Sequence, residues 1–70
     1  MTERRFPPPW TVEFIPGGFK VVDANGQSLA YVYGLDDARN ARIAKALTRD
    51  EARRIAANIA KLPKLLRKSQ

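Results

Sequence analysis

Hydrophobic and polar positions alternate from residue 10 to residue 33, then change period. Trp10, Val12 and Phe14 alternate with Thr11, Glu13 and Ile15, the two-residue repeat of a strand with two unlike faces. Pro16-Gly17-Gly18 breaks the pattern, since proline presets the first turn φ and glycine accepts a positive one. Phe19 to Asp23 reads as a second strand and Ser28 to Tyr33 as a third, joined across Asn25-Gly26, a dipeptide that favours a type I′ hairpin turn. A two-residue loop there pairs Val22 with Leu29, Val21 with Ala30, Lys20 with Tyr31 and Phe19 with Val32. A two-residue loop within Pro16-Gly17-Gly18 then puts Trp10, Val12, Phe14, Phe19, Val21, Ala30 and Val32 on one face. That face is wholly apolar and requires a cover. The opposite face carries Thr11, Glu13, Ile15, Lys20, Val22, Leu29, Tyr31 and Tyr33.

Beyond Gly34 the spacing becomes helical. Asp36 or Asp37 is placed to cap a short helix through Ala38 to Lys45; a loop with one helical turn satisfies the same residues. Thr48-Arg49-Asp50-Glu51 has the form of a capping box, in which Thr48 and Glu51 bond each other's backbone N–H, with Leu47 and Ala52 at the staple positions. Ala52, Ile55, Ala56, Ile59 and Leu62 form a stripe along the following helix, and Arg53, Arg54, Asn58 and Lys61 lie on its other side. Asp50 precedes Arg54 by four residues, the favourable order for a helical ion pair. Pro63 stops or kinks this helix and can start a last turn with Leu65 and Leu66. The expectation is an α+β fold: a three-stranded antiparallel meander packed on a C-terminal amphipathic helix, with a possible short helix between them. Residues 1–9 form an extended proline-rich arm, residues 10–66 the domain, and residues 67–70 a basic tail.

Seventy residues support a single small core, which buries only about 60% of the unfolded surface. There is no cysteine and no histidine, so disulfides and zinc sites built from those residues are excluded. No segment approaches the roughly 18 apolar residues of a membrane span, and the start lacks a signal-peptide core. The expected location is cytoplasmic, with no membrane partner.

Charge sharpens this picture. Of 13 basic and seven acidic residues, ten basic and two acidic ones fall in residues 39–70. Such an asymmetry points to an anionic partner, although charge also serves solubility. The chemistry of an enzyme is missing: no histidine for acid–base work, no cysteine nucleophile, and no base for Ser28 or Ser69. Asp36-Asp37 falls short of a calcium or magnesium shell, and Gly17-Gly18 lies between strands, without a phosphate loop's lysine and serine. The chain is therefore read as non-catalytic, with no cofactor and no metal. Its leading reading is nucleic-acid binding, DNA foremost, by Arg53, Arg54, Asn58, Lys61 and Lys64 with Arg39 and Arg42. The alternative is a protein-interaction module or homodimer that uses Lys20, Val22, Leu29, Tyr31 and Tyr33.

The runs Pro7-Pro8-Pro9-Trp10, Pro16-Gly17-Gly18-Phe19, Asp23-Ala24-Asn25-Gly26-Gln27, Ala30-Tyr31-Val32-Tyr33 and Leu47 through Pro63 together resemble a family of short basic proteins frequent in alpha-proteobacteria. The resemblance covers nearly the whole chain. It implies a bacterial origin and carries no activity with it. The order of three strands then a helix is also similar to the small DNA readers of plant ethylene-response factors and to phage-type integrase arm-binding domains. There the helix covers one sheet face and the other, rich in arginine, enters the major groove; the corresponding face here offers Lys20, Tyr31 and Tyr33.

Overall fold

The computed structural model describes residues 6–67, with side chains described as far as residue 65. Residues 1–5 of the expected arm and 68–70 of the expected tail lie outside the described residues, as do the side chains of Leu66 and Arg67. The fold is α+β. Strands β1 (Thr11–Ile15), β2 (Gly18–Val22) and β3 (Ser28–Tyr33) form an antiparallel sheet in the order β1-β2-β3. Helices α1 (Ala38–Ala44), α2 (Arg49–Ala60) and α3 (Leu62–Arg67) follow.

The first turn follows the chain's local chemistry. Ile15 pairs with Gly18 across Pro16-Gly17, and Gly17 has φ +84°, the glycine signature of a type II turn behind proline. This loop pairs Val12 with Val21 and Phe14 with Phe19, which keeps all four on one face.

The second turn corrects the type I′ expectation. Gly26 has φ +85° but Asn25 does not share the positive φ that type I′ demands. Asp23 accounts for the difference. Its Oδ1 accepts the backbone N–H of Asn25 and of Gln27, each at 2.8 Å, while its own N–H donates to the Gln27 carbonyl and its carbonyl accepts from Gly26. The loop is therefore the three-residue kind, Ala24-Asn25-Gly26, with glycine in the left-handed position. Val22 then pairs with Ser28 rather than Leu29, and a bulge between Val21 and Val22 restores Val21–Ala30, Lys20–Tyr31 and Phe19–Val32.

Asp23 is buried at 4% exposure, so the turn depends on it. Removing a buried acceptor costs about 1–3 kcal/mol. We expect Asp23→Ala to lose about 2 kcal/mol in urea denaturation and Asp23→Asn, which keeps an acceptor, under about 1 kcal/mol. Equal stability of all three proteins would contradict this account.

The core lies between the sheet and α2. Phe19, Val21 and Val32 meet Ala52 and Ala56, both fully buried, with Trp10, Val12, Ala30, Leu47, Ile59 and Ala60 packed around them. Alanine at the two central helix positions lets the helix backbone approach the sheet closely. Two parts of the expected core are corrected. Phe14 shares the covered face but is 68% exposed, because α2 lies chiefly over β2 and β3 and β1 is an edge. Phe14 packs edge-on against Phe19, ring centroids 5.7 Å apart, and the Arg49 guanidinium sits 5.1 Å from its ring centre. Ile55 (42%) and Leu62 (36%) flank the packed stripe instead of filling it.

The start of α2 is fixed to the end of the sheet. Leu35 donates to the Leu47 carbonyl and accepts from the Arg49 N–H, each at 2.8 Å, so residues 35 and 48 form a parallel bridge. The capping box is complete: Glu51 N–H donates to Thr48 Oγ1 at 3.1 Å and Thr48 N–H to Glu51 Oε1 at 2.9 Å. Between sheet and α2, the helical alternative is the one adopted. Asp37 caps α1 by accepting from the Arg39 N–H, and Lys45 ends it in the left-handed region with φ +58°. Pro63 sits in the first turn of α3, where its missing N–H has no intrahelical role. At the other end of the domain the arm is tied down. The Pro7 carbonyl accepts from Ala24 N–H at 2.9 Å, and Trp10 Nε1 donates to the Phe6 carbonyl at 2.9 Å.

Candidate nucleic-acid interface

Because Ala52 and Ala56 face the sheet, the helical repeat turns Arg53, Arg54, Asn58 and Lys61 outward, and all four are exposed. Asp50 gathers two of them. One carboxylate oxygen lies 2.7 Å from Arg53 Nη2 and the other 2.7 Å from Arg54 Nη2. The three side chains together carry one net positive charge. Asn58 is less available than its exposure implies, since its Nδ2 donates to the Arg54 carbonyl at 2.8 Å.

The Arg53 hydrogen bond, helped by the Arg54 charge and opposed by desolvation, holds the Asp50 carboxyl below its ordinary value of 3.8. A lowered folded value stabilises the fold above the unfolded pKa, and that contribution is lost as pH falls through the folded one. An NMR titration should place the Asp50 midpoint below 3.8 and move it upward in Arg53→Gln. An unmoved midpoint in that variant would contradict the assigned cause.

Lys61 and Lys64 are exposed and make no ion pair among the described residues. With Pro8, Pro9, Trp10, Ala60 and Pro63 they line a groove of about 280 Å³. Arg39 and Arg42, also exposed and without an ion pair among the described residues, belong to α1, which makes no close backbone approach to another helix or strand. The basic positions thus form two groups on α2 and α3 and a separate one on α1.

Two features escaped the sequence reading. Arg49 is structural: it pairs with Asp36 and covers Phe14. Its signal was a cation in the first turn of a helix, where the dipole favours an anion. The Trp10 groove joins residues some fifty positions apart, and no local pattern marks it.

On the opposite sheet face, Lys20 Nζ lies 3.7 Å from Glu13 Oε1 on the neighbouring strand, so this pair is neutral. Tyr31 and Tyr33, 55% and 58% exposed, stand with ring centroids 6.3 Å apart and planes within 9°. Val22 is corrected: it is 4% exposed and offers nothing to a partner. It lies beside the bulge, at the end of the hairpin where Ala24 bonds the arm. Leu29, the residue the bulge leaves unpaired, is half-buried.

Among the described residues no group of three or more acidic, histidine or cysteine side chains comes together, and no helix is long and apolar enough to cross a membrane. Comparison with protein-family models, curated proteins and solved structures finds no match.

Proposed function

We propose that this chain is a small non-catalytic domain of the bacterial cytoplasm that binds nucleic acid, DNA foremost, through the outward side of α2 and the start of α3. The observation that carries this reading is the exposed array of Arg53, Arg54, Lys61 and Lys64, with Asp50 as the only carboxylate paired into it among the described residues. Arg39 and Arg42 extend the positive field from α1. Such side chains displace condensed counterions from phosphates, so the binding strength depends on salt rather than on base sequence. The Tyr31–Tyr33 pair supports a second reading, in which the neutral sheet face docks a protein or a second copy of the chain.

Fluorescence anisotropy with a labelled duplex at two salt concentrations separates the two. The expected dissociation constant at physiological salt is about 10⁻⁴–10⁻⁶ M, weakening as salt rises, with little preference among sequences. No binding at low salt, where the chain's charge of +6 acts at full range, would end this reading and leave the sheet face as the functional surface.

A further inference from the structure

We infer that the groove between the arm and the α2–α3 junction holds an unstacked base of a single-stranded nucleic acid, with Lys61 and Lys64 on the flanking phosphates. This rests on the nucleic-acid reading and narrows it to a strand type. The groove is lined by three prolines, Ala60 and an indole together with Lys61 and Lys64, which make no ion pair among the described residues. That is the make-up of a stacking platform beside a backbone track.

Three observations make the platform specific. Trp10 is anchored, with Nε1 held by the Phe6 carbonyl at 2.9 Å and part of its side chain packed on the core. A ring held in place loses little freedom when a base stacks on it. Pro63 sets the α3 start beside the same groove, which places Lys61 and Lys64 on either side of it in sequence. The space, about 280 Å³, falls just below the range of small-molecule pockets, roughly 300–1,000 Å³, and suits one ring system rather than a helix face. A base inside a duplex presents only its edges, so the groove discriminates between strands and duplexes while Arg53 and Arg54 accept either.

Trp10 is the only tryptophan, so its fluorescence reports on the groove directly. We expect oligo-dT to quench it, an equally charged duplex to bind without quenching it, and an abasic strand to bind about tenfold more weakly than oligo-dT. Lys61→Gln with Lys64→Gln, both exposed positions, should lower the single-strand salt slope by about 1.4, at roughly 0.7 per phosphate. Duplex and oligo-dT binding alike with no quenching would overturn the groove assignment and leave the nucleic-acid reading standing. Binding of neither would overturn both. Quenching by an acidic peptide and not by oligo-dT would reassign the groove to a protein ligand.

Discussion

Alanine at position 18 should remove a large share of the protein's stability, although it adds one methyl group. Gly18 is buried in β2, between Ile15 and Tyr33 in the ladder. A Cβ there would penetrate the Val32 carbonyl oxygen and stand 2.8 Å from Tyr33 Cα. Both are backbone atoms of β3, so no rotamer change relieves the clash; the strand must move. Gly34 is similar, its Cβ falling 2.5 Å from the Thr48 carbonyl oxygen, where the sheet end meets the start of α2. Overpacking costs about 1–3 kcal/mol and occasionally more. A chain of this length has a total stability of about 3.5–10 kcal/mol, at roughly 0.05–0.15 kcal/mol per residue. We expect about 3 kcal/mol or more for Gly18→Ala, a drop in Tm beyond about 12 °C at 4–8 °C per kcal/mol. Gly26→Ala is the control. Its φ of +85° strains an alanine, but nothing lies within 4 Å of the new methyl, so the cost is about 1 kcal/mol after the unfolded-state gain. Equal losses for Gly18→Ala and Gly26→Ala would refute the steric account.

The contrast between these glycines shows which parts of the fold local pattern reveals. The strand alternation put Val12, Phe14, Phe19, Val21 and Val32 on one face, and either two-residue loop within Pro16-Gly17-Gly18 was compatible with it; the structure's Pro16-Gly17 loop sets the Phe14–Phe19 and Val12–Val21 pairings. The capping box located the start of α2 because its two hydrogen bonds need only Thr48 and Glu51. Parity alone does not say what lies over a residue. Phe14 is on the covered face yet exposed, since one helix of twelve residues does not span three strands evenly. The second hairpin was misread because Asn25-Gly26 was weighed without Asp23, whose carboxylate builds a different turn. Helix α1 stayed open in the sequence because seven residues sit near the limit of helix nucleation; Asp37 and Lys45 decide it. For the candidate site, the basic face of α2 was legible from periodicity. The pairing of Asp50 with Arg53 as well as Arg54 was not, and neither was the meeting of Trp10 with Pro63.

Replacing Arg53, Arg54 and Lys61 together with glutamine should sharply lower the salt dependence of duplex binding while leaving the fold intact. All three side chains are exposed, and none contributes to the buried cluster of Phe19, Val21, Val32, Ala52 and Ala56. Glutamine keeps helix propensity close to that of arginine and lysine. If each cation meets one phosphate, the slope of log affinity against log salt falls by about 2.7, at roughly 0.9 per phosphate. Between 50 and 200 mM salt the parent protein then loses about 40-fold more affinity than the variant. The loss should be uniform across sequences, because phosphate contacts position a protein and carry no base information. Asp50→Asn supplies the opposite sign. It releases both guanidiniums from their carboxylate and should tighten binding, with a steeper salt slope. These two variants bracket the interface from either side. An unchanged slope in the triple variant, with its helical circular dichroism intact, would show that phosphates do not meet this side of α2 and would shift the functional surface to Tyr31 and Tyr33.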